Sequence, residues 1–374
     1  MNFSLTSEQT LLQTSVHRFV ETHYAWSYPE SPVTEDIRRK RWLQVCELGW
    51  VAAGLPEAVG GAGGSIIDTI VIAEKLGTGP AIEPFTSNLL SASILSQTTK
   101  ESAAQALTAL IGGQSLVSLA LYEPGQRYSQ CCKKTSLTDG LLNGHKTNVL
   151  FGGDAETLLI ACHETESDEF ILVLTDAKAP GIHIYGHKTI DGHSSADVVL
   201  KDVRVSPDNI LLRGVEAQEA VQLALDTATV SLCAEGLGAM ETALAQTISY
   251  CKDRSQFGES VSKFQAIQHR LVDMYVLCEG ARSLLFAAAI KLKTKHPDTT
   301  QAVSALKYRL SESGRKLGEE AVQLHGGMGF TNELPLSRLY KRLVCIAATL
   351  GDADHHLNQL TQHRTAAISE VISG

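Results

Sequence analysis

Two short segments bring together residue types whose spacing could do chemistry. The first, Arg254-Ser255-Gln256-Phe257-Gly258, lies between two long stretches of helical periodicity and is followed by Val261, Phe264 and Gln265. An arginine fork makes paired, charge-assisted hydrogen bonds to a pyrophosphate, and a neighbouring phenylalanine offers an apolar face to an adenine or a ribose. A flavin dinucleotide fits that combination. Standing alone, the segment is explained at least as well as a helix-helix loop with a solvated arginine and a packed phenylalanine. The second segment, Gln323-Leu324-His325-Gly326-Gly327-Met328-Gly329-Phe330, sets glycines at a helix end, where they permit a sharp reversal and close approach of backbone to a ligand. Taken singly it reads as a helix C-cap.

The remaining reactive residues have structural explanations. Asp352 and Asp354 precede a helical stretch and read as N-terminal caps, their charge facing the helix dipole. His355 and His356 diverge by about 100° on a helix, with no third ligand spaced to join them, so no metal site is expected. The eight cysteines form no C-x-x-C pair and no regular spacing, which points to reduced thiols. Cys131 and Cys132, in a β-type segment, should face opposite ways, one into the core and one outward.

The elements that position these residues fall into three blocks. Thr6 and Gln9 form a possible capping box ahead of Leu12, Val16, Phe19, Val20 and His23, and further helices are expected over Glu35 to Leu48, Ile66 to Leu76, Asn88 to Leu95 and Ala103 to Ile111. From Ser115 the pattern shortens to apolar runs such as Leu116 to Tyr122, Leu158 to Cys162, Phe170 to Leu174 and Val198 to Val205. Asp139-Gly140, Asn143-Gly144, Pro180-Gly181 and Asp191-Gly192 supply the turns between them. Long helical stretches return at Ala217 to Cys251, Ser262 to Lys295, Thr299 to Leu324 and Leu334 to Gln362. The expected class is α+β without βαβ alternation: an N-terminal helical domain (1–114), a middle antiparallel β domain (115–213) and a C-terminal four-helix bundle (214–374).

Composition narrows the function classes. A chain of 374 residues with 44% apolar and 20% charged residues is expected to fold throughout and is large enough for two or three packed units. Its net charge of -9, without a run of Lys and Arg, excludes nucleic acid or an anionic membrane as main partner. The opening Met-Asn-Phe-Ser-Leu-Thr has no basic or apolar leader pattern, and no stretch approaches about 18 uninterrupted apolar residues, so a cytoplasmic protein is expected.

Taken as a pair, in this order and with two helices between them, R-x-x-F-G and Q-x-x-G-G-x-G resemble the motifs of the acyl-CoA dehydrogenase family. Pro56-Glu57 with Gly60-Gly61, Glu123-Pro124-Gly125 and Asn143-Gly144-His145-Lys146 extend the likeness over nearly the whole chain. Within the family, Tyr122 to Tyr128, Leu232 to Glu235, Val322 to Gly327 and Gly351 to Leu357 are similar to the small subunit of pimeloyl-CoA dehydrogenase, which implies a two-subunit enzyme. The resemblance implies FAD lying across a subunit interface, its ring on one β domain and its adenine end in the neighbour's two motifs. Arg254, Gln256, Phe257, Val261, Phe264, Gln265, Gln323, Gly326 and Gly327 would then serve the FAD of a partner.

The family reaction, as the resemblance implies, removes the α-proton of an acyl-CoA with a carboxylate and passes the β-hydrogen to the flavin, whose electrons go on to an electron-transfer flavoprotein. Here the position of the usual glutamate is Leu350, which accepts no proton. An alternative base position at a helix start falls on Ala228, and Asp226 nearby is turned away by the helix. Tyr122, Tyr128, Asn148 and Leu150 also depart from the family's flavin-ring contacts. Three readings stay open: a subunit acting with a sister chain, as heterodimer or heterotetramer, that supplies the glutamate; a non-catalytic interaction subunit; and a homo-oligomer using another base such as Asp352.

Overall fold

The structure, a computed structural model, describes residues 5–24 and 34–362. Helix α1 (Ser7–His23) opens with the capping box expected from its sequence: the Gln9 amide donates to Thr6 Oγ1 at 3.2 Å and the Thr6 amide to Gln9 Oε1 at 3.1 Å. These contacts satisfy two amides that a helix start leaves without intrahelical partners. Four more helices follow: α2 (Glu35–Glu47), α3 (Ile66–Leu76), α4 (Phe85–Leu95) and α5 (Glu101–Ile111).

The middle third is one sheet of eight strands: β1 (Val117–Ala120), β2 (Ser136–Thr138), β3 (Leu141–Leu150), β4 (Thr157–Glu164), β5 (Glu169–Asp176), β6 (Ile182–Lys188), β7 (Ser194–Arg204) and β8 (Ile210–Arg213). Its path runs β6-β7-β3-β2-β4-β5-β8. Most pairs are antiparallel, as expected, but β4 carries two parallel neighbours: β1 along Thr157–Ile160, then β2 along His163–Glu164. Alternating apolar residues could not reveal this, because periodicity reports which face is buried and not the direction of the neighbour. Fully buried Leu142, Leu158, Ile160, Ile171, Val173 and Val198 form the core of this layer.

One turn signal behaves differently from its sequence reading. Asp139-Gly140 closes the β2–β3 hairpin with both residues at positive φ (49° and 74°), whereas Asn143-Gly144 lies inside β3 at an irregularity of register with β7. A Cβ on Gly144 would stand 2.5 Å from Thr135 Oγ1. That glycine is present for a close approach and not for a turn.

The C-terminal part contains α6 (Gly214–Asp253), α7 (Gln265–Lys293), α8 (Thr299–His325) and α9 (Leu336–Ala348). Between α6 and α7 lies a minute antiparallel pair, β9 (Ser255–Gln256) and β10 (Glu259–Ser260). The continuous helix expected over 334–362 is broken. Leu350 and Gly351 both take positive φ (59° and 111°), and helix resumes over 353–362. No described helix is long and apolar enough to cross a membrane.

Two compact units emerge: α1 and α3 with the chain from Thr229 onward, and Thr34–Ser65 with Ile82–Ala228. Within the first, Arg342 on α9 grips Glu235 on α6 through two hydrogen bonds, Nε to Oε1 at 2.5 Å and Nη2 to Oε2 at 2.9 Å. Both side chains are largely out of water, at 15% and 12% exposure. Removing one partner strands the other's charge, so Arg342→Ala should destabilise the chain by about 3 kcal/mol, read as a lower urea midpoint.

Candidate functional site

The two motifs are brought together by the ends of α6 and α8. Arg254 leaves α6 with its amide still donating to the Tyr250 carbonyl at 2.9 Å, and the loop closes where the Val261 amide donates to the Arg254 carbonyl at 2.8 Å. Phe257 (φ 57°) and Gly258 (φ 80°) turn the β9–β10 tip. Tyr250 stacks on His325, ring centroids 4.3 Å apart, and its hydroxyl donates to the His325 carbonyl at 3.3 Å. His325 immediately precedes Gly326, so this single contact fastens the R-x-x-F-G loop beside the glycine run. Burial lowers the His325 pKa, against the opposing pull of the Ala321 carbonyl 2.8 Å from Nδ1, which keeps the ring neutral for stacking.

The residues gathered there face water. Arg254, Gln256, Gln265, Gln323, Gly326 and Gly327 are exposed, and Val261 is half-buried. Phe257 is 93% exposed, Phe330 82% and Phe264 39%, although Phe257 and Phe264 touch edge to face at 6.2 Å. Among the described residues the Arg254 guanidinium has no ion-pair partner. Gly326 adopts φ 62°, ψ −140°, a conformation essentially restricted to glycine. Gly327 does not: a Cβ built on it meets nothing within 4 Å.

The flavin-ring region expected on the β domain is differently furnished. Tyr122 and Tyr128 pack edge to face, centroids 6.0 Å apart. Asn148 takes positive φ (53°) and its amide donates to Asp197 Oδ1 at 3.3 Å. Leu150 offers no side-chain donor, and its carbonyl accepts from the Ser87 hydroxyl at 3.0 Å. Beneath this loop lies a contact that the sequence reading missed. Buried Glu123 accepts from the amides of Lys134 (3.0 Å) and Thr135 (2.8 Å) and from Lys146 Nζ (3.2 Å). Burial pushes Glu123 up, but the Lys146 charge and these donors outweigh it and leave its carboxyl below the ordinary range. The Glu-Pro-Gly and Asn-Gly-x-Lys stretches carry the signal, each with one charged residue at a fixed place.

Leu350, which the sequence reading set against the family's glutamate, is buried, with 8% exposure. Its carbonyl lies 3.1 Å from His356 Nε2, while His356 Nδ1 lies 3.2 Å from Ser304 Oγ. Lys307, fully buried, donates to the carbonyls of Gly351 (2.6 Å) and Ala347 (3.2 Å). Asp352 caps the last helical segment through the His355 amide at 2.9 Å, as its sequence position implied. Asp226 is also buried and accepts from Gln222 Nε2 at 3.0 Å. Sequence reading found neither Lys307 nor the packing role of His356 in particular; a lysine on an otherwise apolar helix face was the available clue. Of the cysteine pair, Cys131 is exposed and Cys132 buried, as expected, although the segment is irregular and not a strand.

Comparison with known proteins agrees with this architecture. The acyl-CoA dehydrogenase N-terminal domain matches residues 6–114 and the acyl-CoA dehydrogenase C-terminal domain residues 218–364, together more than half of the chain. The short-chain specific acyl-CoA dehydrogenase of Megasphaera elsdenii is 30% identical over 358 residues, covering 90% of this chain and 93% of that protein. The butyryl-CoA dehydrogenase structure from Megasphaera elsdenii superposes with a TM-score of 0.87 at 25% identity, over 98% of this chain and 100% of the other. The ChsE4–ChsE5 complex from Mycobacterium tuberculosis shows the same fold, with a TM-score of 0.85 at 22% identity over 98% and 99% of the two chains. The chain belongs to the acyl-CoA dehydrogenase family, whose members are FAD-dependent oxidoreductases.

The turn at Leu350 makes stability sensitive to acid. Burial first, then the charges of Lys307 and His355, lower the His356 pKa from 6.5 to about 3. The unfolded chain therefore takes up a proton that the folded chain refuses as pH falls between those values. Stability present above the unfolded value should be lost at about 1.4 kcal/mol per pH unit across that window. His356→Gln should flatten the dependence, measured as urea midpoints from pH 6.5 down to about 4.

Proposed function

We propose that this chain is one subunit of an FAD-dependent acyl-CoA dehydrogenase that converts an acyl-CoA thioester to a trans-2-enoyl-CoA, with a sister subunit supplying the catalytic glutamate and the complete flavin-ring cradle. The observation that carries this reading is the contrast between the two half-sites. Arg254, Phe257 and Gly327 are exposed, as a half-site for a neighbour's ligand would be, while Leu350 stands where the resemblance sets the proton acceptor. Gly327 is the sharpest part of the contrast, because nothing in its own chain forbids a side chain there.

The residues present fit the dinucleotide half of FAD. Arg254 offers a paired donor to a pyrophosphate, Gln256, Gln265 and Gln323 offer amides, Phe257, Val261 and Phe264 offer apolar contact, and Gly326 with Gly327 lets backbone come close. Bound FAD would supply the hydride acceptor that no side chain provides. In this reading residues 1–114, 115–213 and 214–374 act as helical, β and helical-bundle domains. The partners are acyl-CoA, the sister chain in a heterodimer or heterotetramer, and an electron-transfer flavoprotein. The two-chain arrangement is the one that the sequence resemblance to the small subunit of pimeloyl-CoA dehydrogenase implies, and the fold occurs in a complex of ChsE4 with ChsE5. The eight free cysteines suit a reducing compartment, and we place the complex in the cytoplasm. A second reading, a purely structural subunit, draws on Leu350, Leu150 and the Tyr122–Tyr128 pair.

Purified alone, the chain should carry little flavin and show no turnover, whereas co-expression with the sister subunit should give about one FAD per heterodimer, read from the visible spectrum. Arg254→Ala should weaken flavin retention in the complex roughly 10- to 100-fold without unfolding it, since a charged hydrogen bond contributes about 1.5 to 3 kcal/mol. Full retention through gel filtration by that variant would favour the structural reading.

A positioned general base contributes roughly 100- to 10,000-fold in rate. Asp226→Asn, Asp352→Asn and Asp354→Asn should each leave single-turnover flavin reduction within several-fold of wild type, since Asp352 caps a helix and the buried Asp226 accepts from Gln222, neither of them a proton-transfer role. Replacing the sister's glutamate should abolish reduction. A large loss in any one of the three Asn variants, with folding and FAD content preserved, would place the base in this chain.

A further inference from the structure

Behind the Tyr122–Gly125 loop three reactive side chains meet in the dark of the β layer. Lys146 is fully buried, and its Nζ lies 3.2 Å from Cys132 Sγ, 3.2 Å from Glu123 Oε1 and 3.0 Å from the Leu121 carbonyl. Cys132 is 3% exposed, yet it lines one wall of a surface groove of about 720 Å³ whose other walls include Cys131, Lys133, His163 and Phe170. The groove therefore brings solvent to the wall that Cys132 forms, and a small oxidant has that wall to cross to meet the buried sulfur and amine.

We propose that Cys132 and Lys146 form an oxidatively closed S–O–N bridge, a covalent modification site with dioxygen as its oxidant. The balance is Cys132–SH + Lys146–NH₃⁺ + O₂ → Cys132–S–O–NH–Lys146 + H₂O + H⁺. Sulfur and nitrogen each give up two electrons, and dioxygen takes up four. One oxygen atom becomes the bridge and the other leaves as water. Glu123 Oε1, already in contact with Nζ, accepts the proton that the ammonium must release. The reverse step consumes two equivalents of dithiol and restores thiol, amine and water. Burial outweighs the pull of Lys146 and leaves the Cys132 thiol pKa raised, so the bridge rests on the 3.2 Å approach of amine and sulfur and not on a standing thiolate.

Closing the bridge removes the Lys146 charge, leaving Glu123, 2% exposed, held by the amides of Lys134 and Thr135 and by Gln126. The turn that Glu123 anchors would lose its only charged side-chain partner among the described residues. The modification is thus positioned to loosen the loop bearing Tyr122 and Tyr128, and the chemistry stands independently of the flavin reading.

The test is mass spectrometry of the full chain after exposure to air-saturated buffer, compared with an anaerobic control. The expected result is a gain of about 14 Da, one oxygen added and two hydrogens lost, mapped to joined peptides containing Cys132 and Lys146. It should revert with dithiothreitol, persist in Cys131→Ser and vanish in Cys132→Ser. Three outcomes would overturn the proposal: gains of about 16 or 32 Da on Cys132 alone, an unmodified thiol and amine after exposure, or a shift of about 14 Da that survives Cys132→Ser.

Discussion

A cation drawn out of water must find its partners inside the fold, as Lys146, Arg342 and Lys307 do among the described residues. Lys146 ties the Glu123 turn, Arg342 ties α9 to α6 through Glu235, and Lys307 ties the broken helix at Gly351. An ammonium or guanidinium removed from water costs several kcal/mol unless opposite charge or carbonyl oxygens surround it. The chain segments that supply those oxygens are therefore held where the cation needs them. Burial lowers the Lys307 pKa to about 8, a sign of how closely its binding to carbonyls is balanced against lost hydration.

The same economy explains why Leu350 can occupy a left-handed backbone position. A leucine there is unfavourable by itself, and its neighbours over-determine the turn: His356 on one carbonyl, Lys307 on the next. These contacts hold the turn around a side chain that has no proton affinity. Its geometry therefore meets a structural demand at this point of the chain.

At the other end of the helix layer the logic reverses. Tyr250 and His325 fix two loops together, and those loops then present aromatic rings, glycines and an arginine to solvent. A lone chain gains nothing from holding Phe257 at 93% exposure. That exposure is the physical ground for the proposal of a half-site that works on a neighbour's cofactor.

Much of this was legible in the amino-acid sequence, for a definite reason. Helical period, capping pairs and turn dipeptides are local, so α1 with its Thr6–Gln9 box, the Asp139-Gly140 hairpin and the Asp352 cap could all be read directly. The two motifs stand out in the sequence because glycine, arginine and aromatic residues cluster there, and the structure brings their loops together. Other features depend on residues distant in sequence. The parallel pairing of β1 and β2 with β4, the role of Gly144 against Thr135, and the break at Leu350 are set by neighbours that no local window contains. The meeting of Glu123, Cys132 and Lys146 is of the same kind. Sequence determined which elements and which chemical groups exist; only tertiary structure decided which charges share a desolvated space, because the cost of burying a charge is fixed by what the folded chain brings within about 3 Å of it.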